Sequence, residues 1–203
     1  MGVRNRFAMI IAGGIALALA TPSIAQFSDS FSFLKAVKDR DGDKAMPFLN
    51  KPGAPVLNTR DPNTGESALH IVTRAHDATW IGFLLGRGAS TEIKDRNGMT
   101  PLLVAAQTGD ADATRLLLSV GANANASNSS GETPLIFAVR NRDLAVGRQL
   151  ITSGANPDMR DTIAGKSARD YAAEDRRGTA MLKLLDEAKP AKAGTGKIAG
   201  PVR

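Results

Sequence analysis

Two histidines, His70 and His76, three alternating aspartates, Asp39, Asp41 and Asp43, and the tripeptide Gly165-Lys166-Ser167 are the residues whose types and spacing could do chemistry in this 203-residue chain. A histidine pair could hold a metal or pass a proton, but side chains six residues apart do not share a helical face, which needs a separation of three or four. The aspartates open like a calcium loop. Counted from Asp39, however, the sixth and twelfth positions are Lys44 and Asn50, where such a loop needs glycine and glutamate. Gly165-Lys166-Ser167 imitates the end of a phosphate loop, yet the glycine required five residues earlier is Arg160, and no apolar strand precedes it. Gly194-Thr195-Gly196 lacks a βαβ context as well. The absence of cysteine removes disulfides, thiolate nucleophiles, cysteine-ligated zinc, iron–sulfur clusters and covalent haem. The expectation is therefore no catalytic residue, no metal and no cofactor.

Charge sharpens what remains. The formal net charge of +6 suggests a binder of polyanions until the charges are mapped. Six of the 26 basic residues lie at the two ends: Arg4, Arg6, Lys189, Lys192, Lys197 and Arg203. Residues 26–188 then carry 20 basic and 20 acidic side chains, a neutral body with no footprint for a phosphate backbone. Nucleic acid is excluded as the expected partner. Aromatic content of 4% leaves the packing to Ala and Leu.

Residues 1–25 read as a cleaved signal peptide, with Arg4 and Arg6 before an apolar run from Phe7 to Ala20 and a small-x-small exit at Ser23-Ile24-Ala25. That run is shorter than the ~20 residues a bilayer span needs. Cleavage after Ala25 implies a periplasmic or secreted protein without an integral membrane span. On a eukaryotic secretory route, Asn125-Ala126-Ser127 and Asn128-Ser129-Ser130 would be glycosylation sequons. The tail 189–203, rich in Gly, Pro and Lys, is expected to be disordered.

Between these ends the chain repeats itself. Thr100-Pro101-Leu102 recurs 33 residues on as Thr133-Pro134-Leu135, with Ser67-Ala68-Leu69 at the same step before it. Gly65, Gly98 and Gly131 keep that period, as do Gly88-Ala89, Gly121-Ala122 and Gly154-Ala155. Each unit has a physical logic. A turn such as Asp95-Arg96-Asn97-Gly98 uses the positive φ that glycine tolerates, and Thr100 caps a helix that Pro101 opens. Gly109-Asp110 ends that helix, a second follows over Thr114 to Leu118, and Gly121 closes it with a left-handed cap. His76, Arg142 and Arg176 replace glycine at the first-helix end, while Gly82 and Gly147 fall inside second helices; both departures predict a less rigid array. Units of this size bury their apolar faces only by stacking.

The pattern resembles the ankyrin repeat, whose mark is a 33-residue period with Thr-Pro-Leu-His-x-Ala opening a helix pair. Thr100-Pro101-Leu102-Leu103-Val104-Ala105 and Thr133-Pro134-Leu135-Ile136-Phe137-Ala138 carry the match, and Ser67-Ala68-Leu69-His70 keeps the histidine. The resemblance implies an all-α solenoid of stacked helix-turn-helix units joined by long hairpin-like loops. Its expected divisions are a cap-like unit at 31–60, repeats near 61–94, 95–127 and 128–160, and a terminal unit at 161–188 with Arg169 in place of leucine. In the first unit the inter-helix turn, placed at Gly42-Asp43, is expected to carry extra residues. The family's signature histidine links loops of adjacent units, so His70 takes a structural role.

What the resemblance implies about function is binding to another protein through the concave face and the loop tips. Carried onto this chain, the first-helix row holds Arg74, Gln107, Arg140 and Glu174. The row beside the turn glycine holds Glu66, Met99, Glu132 and Lys166. Asn63, Arg96, Asn97 and Ser129 stand at the loop tips. Mixed signs point to a polar protein surface rather than a polyanion. The expected molecule is monomeric and non-enzymatic. Two alternatives are an architectural envelope protein tethered by its basic tail and a helical hydrolase, the latter short of a nucleophile paired with a base.

Overall fold

The computed structural model describes residues 24–53 and 56–187, so the tail from Lys189 and all but the last two residues of the expected leader lie outside the described residues. Ten helices occur there: α1 (Ile24–Lys38), α2 (Gly42–Leu49), α3 (Ala68–Arg74), α4 (Ala78–Gly86), α5 (Pro101–Thr108), α6 (Ala111–Ser119), α7 (Pro134–Arg140), α8 (Leu144–Thr152), α9 (Ala168–Glu174) and α10 (Thr179–Glu187). Among the described residues there is no strand, only isolated antiparallel bridges at Arg60–Ser67 and Arg160–Ser167. The architecture is an all-α helical repeat solenoid.

Local signals explain the helix ends. Thr100 and Thr133 each accept a hydrogen bond from the third helical N–H, with proline opening the helix. Second helices start from an aspartate whose carboxylate takes the same role: Asp41, Asp77, Asp110 and Asp143. Helices of seven to nine residues are too short to persist alone, so burial must hold them. First helices pack in one row, α1 on α3, α3 on α5, α5 on α7 and α7 on α9; α4, α6, α8 and α10 form a second. The small residues Ala68, Ala105, Ala138 and Ala172 are fully or almost fully buried, which lets the short helices approach closely. Leu69, Leu102 and Leu135 are buried as well. At the last unit, Arg169 takes that leucine's place and turns outward to Asp158 (3.0 Å) and to Asp186. Among the described residues no further unit packs beyond this one.

Two expectations need correction. The inter-helix turn of the first pair is no longer than the others: its left-handed residue is Arg40 (φ 56), and Gly42 already lies in α2. The extra residues fall in the connection between α2 and α3. Arg176 does not take the left-handed place either, because α9 ends at an extended Asp175. The left-handed non-glycine residues at these turns make contacts of their own. Arg40, His76 and Arg142 reach the aspartate of the next unit, Asp77 (3.2 Å), Asp110 (2.9 Å) and Asp175 (2.5 Å). Gly109 faces Asp143 with no side chain to do the same. Each left-handed conformation costs energy for a residue with a Cβ, and a bond between units offsets it.

Candidate functional site

The sequence-derived rows meet in space as pairs. Arg74 is bonded to Glu66 (2.9 Å), Arg140 to Glu132 (2.5 Å) and Lys166 to Glu174 (2.6 Å), each joining the residue after the turn glycine to the last turn of the first helix eight residues on. The guanidinium groups of Arg74 and Arg140 are about half exposed, whereas Glu66 and Glu132 sit lower, with 20% and 18% of their side chains accessible. The carboxylates therefore hold the arginines upright and cancel their charge locally. The sign reverses at the last unit, where Glu174 is the more exposed partner. Gln107 is exposed within this row and uncharged.

Met99 does not belong to this surface. Its side chain is 6% exposed, inserted at the junction of two units near the Asn128 amide. Position beside the turn glycine suggested exposure, but an apolar side chain there turns inward. Its backbone is fully used: the N–H donates to Asp95 and the carbonyl accepts from the Asp95 N–H and from His70. At the loop tips, Asn63, Arg96, Asn97 and Ser129 are exposed. Arg96 also reaches back to the Pro62 carbonyl, so it stiffens the preceding loop.

A feature that repeat logic missed lies at the first pair. An open groove of about 1120 Å³ separates α1 and α3 beneath the loop at 59–66. Phe31, Leu34 and Ile71 line its apolar part, and Lys38, Glu66 and Arg74 its polar side. Phe31 is 66% exposed. The available signal was Phe31 three residues before Leu34 in a helix, but this unit departs from the repeat pattern, so no row predicted it.

A family model described as "Ankyrin repeats (3 copies)" matches residues 33–128 and, overlapping, 69–161. The chain belongs to the ankyrin-repeat family. Ankyrin repeats generally mediate protein–protein interaction.

Within this ankyrin array the chemistry-bearing residues are occupied structurally. Nδ1 of His70 accepts from the Ser67 N–H (3.2 Å) and lies 2.8 Å from its hydroxyl, while Nε2 faces the Met99 carbonyl at 2.9 Å. This pattern requires the neutral tautomer protonated at Nε2. Burial lowers the pKa of His70, outweighing the pull of the Met99 carbonyl. Asp39 pairs with Lys35, and Asp41 caps α2 while pairing with Lys44. The Lys44 side chain and N–H hold the Asp41 carboxyl below its ordinary range. Lys166 serves Glu174 and the Tyr171 ring, and Ser167 caps α9 with Asp170. Among the described residues no group of histidine and carboxylate side chains is placed to hold a metal ion, and no helix is long and apolar enough to cross a membrane. Both sequon asparagines are engaged: the amide nitrogen of Asn125 donates to the Gly154 carbonyl (3.0 Å), and that of Asn128 to Glu132 (2.8 Å).

Proposed function

We propose that this chain is a non-enzymatic, exported ankyrin-repeat protein, monomeric by itself, that binds another protein across the exposed ends of its first helices and its loop tips. The observation that carries this reading is the row of upright side chains, Arg74, Gln107, Arg140 and Glu174, running from the Phe31 groove along the array. Export rests on the sequence of residues 1–25. A partner fitting the row presents polar groups to the two arginines and a protruding apolar side chain to Phe31 and Ile71. Buried aromatic anchors and arginines carry most of the affinity in interfaces of this kind.

The test is purification from the exported fraction with its bound protein. Replacing Arg74, Arg140 and Glu174 together by alanine, and separately Phe31 by serine, should release the partner without lowering the melting temperature. Loss of folding in place of loss of binding would show that these side chains support the array. A partner unaffected by both variants would place the interface elsewhere.

A further inference from the structure

The loops ahead of the first helices are joined edge to edge by one main-chain hydrogen bond at each junction. The Arg96 N–H donates to the Thr64 carbonyl (3.0 Å), Ser129 to Asn97 (3.0 Å) and Thr162 to Ser130 (2.9 Å). In each case the donor follows an aspartate or asparagine that makes an Asx-type turn, and the acceptor precedes the left-handed glycine. The donor backbone comes so near that glycine that a Cβ would lie 2.9 Å from Arg96 N at Gly65, 2.7 Å from Ser129 N at Gly98 and 2.9 Å from Thr162 N at Gly131.

At the last loop the same surface is open. A Cβ on Gly165 would meet nothing within 4 Å. The Ala164 carbonyl, which holds the acceptor place, receives no backbone hydrogen bond from the described residues. Beside it Ile163 is 80% exposed, the most exposed large apolar side chain among the described residues. The loop is held rigid: Asp161 accepts from the N–H groups of Ile163, Ala164 and Gly165 and from the Tyr171 hydroxyl (2.6 Å). The opposite end of the row is closed, because Pro62 stands in the donor place and has no N–H.

We propose that the Asp161–Gly165 loop is a docking edge for a turn of a partner protein. The incoming turn is of Asx type with a non-proline second residue, whose N–H bonds to the Ala164 carbonyl while an apolar side chain covers Ile163. The three junctions inside the chain supply the template for this contact. The corresponding loops of a second copy do not offer it: Pro62 lacks the donor, and Arg96, Ser129 and Thr162 have already spent theirs. The proposal adds a main-chain contact to the side-chain face described above and does not depend on the Phe31 groove.

The probe is a head-to-tail cyclic peptide containing residues 93–100 of this chain, with Asp95-Arg96-Asn97-Gly98 as its turn. Titrated into the isotope-labelled full chain, it should give saturable amide shifts confined to Ile163, Ala164 and Gly165 and their packed neighbours. Proline in place of the peptide's arginine should weaken binding about tenfold, the size expected for one hydrogen bond. Ile163→Asp in the chain should weaken it as well while leaving the melting temperature unchanged, since the side chain touches solvent. Shifts that survive the proline peptide, or that spread over the other loops, overturn the proposal. So does a dimer that Ile163→Asp dissolves, which would assign the edge to a second copy. Stronger binding after removal of residues 188–203 would assign it to the chain's own tail and overturn it equally.

Discussion

The imidazole of His70 spans the junction between two units, its Nε2 donating to the Met99 carbonyl at 2.9 Å while Nδ1 receives the Ser67 N–H at 3.2 Å. Protonating Nδ1 would set two donors against each other in a site with no water access. The pKa of His70 is lowered in the fold, so between that value and its ordinary value of 6.5 the unfolded chain binds the extra proton. Stability from this group is complete above pH ~6.5 and declines as the pH falls below it. Denaturant unfolding at pH 7.5, 6.5 and 5.5 should show this decline in the native chain. His70→Gln should have a flatter profile over that range, at a cost of roughly 1–3 kcal/mol at pH 7.5 for imperfectly satisfied buried groups. An equally steep profile in the variant would show that the slope comes from elsewhere.

The turn glycines separate into covered and open ones. Gly98 and Gly165 share a left-handed backbone (φ 75 and 66), but only Gly98 has a neighbouring loop against it. Alanine at Gly165 should cost the conformational penalty of roughly 1–2 kcal/mol. At Gly98 the same change must also displace the Ser129 backbone, raising the loss to roughly 2–5 kcal/mol. Matched denaturant titrations of the two variants check the difference. Equal losses would mean that the loops are not in contact in solution.

Two helical glycines also differ in kind. A Cβ at Gly82 meets nothing within 4 Å, whereas one at Gly147 would lie 3.2 Å from the Met181 sulfur and 3.4 Å from Leu184. Gly82→Ala should therefore stabilise the chain by about 1 kcal/mol through helix propensity alone. Gly147→Ala should gain less, because the ends of the Met181 and Leu184 side chains must give way to the new methyl group. A stabilisation of similar size at both positions, read from unfolding midpoints, would contradict the tight contact.

Arg142 combines a left-handed backbone (φ 56) with two hydrogen bonds to Asp175. The Arg142 side chain is the leading cause that holds the Asp175 carboxyl below its ordinary range, so their attraction persists above pH ~4 and fades as the pH falls through the folded value. Arg142→Ala keeps the strained backbone and loses the pair; Arg142→Gly loses both. The melting temperature of the alanine variant should be the lower of the two near pH 7. The reverse order would remove backbone strain from the account.

Much of this architecture was legible in the residues. Thr100-Pro101-Leu102, the capping aspartates and the periodic glycines are local devices, each acting within a few residues of its own position, so their repetition revealed the helix pairs and the stacking. The neutral body is likewise plain from the charges of residues 26–188. The first-helix row Arg74, Gln107, Arg140 and Glu174 was also readable, because period translates directly into register.

What the sequence by itself determined, then, was the repeating unit and the kind of fold it builds, since caps and turns depend on adjacent residues. The tertiary structure decided what each copy of a position faces, and that depends on a neighbour 33 or so residues away or on the lack of one. Met99 is buried where Glu66 and Glu132 stay partly exposed, because its apolar side chain can enter the junction between units while theirs turn to the arginines of their own unit. Gly65, Gly98 and Gly131 are covered and Gly165 is open, because no described loop follows the last one. Phe31 lines a groove because α1 runs beside α3 and the loop at 59–66 without filling the space between them. Identical local rules yield different surfaces at the ends of the described stack, where a unit has a described neighbour on one side alone.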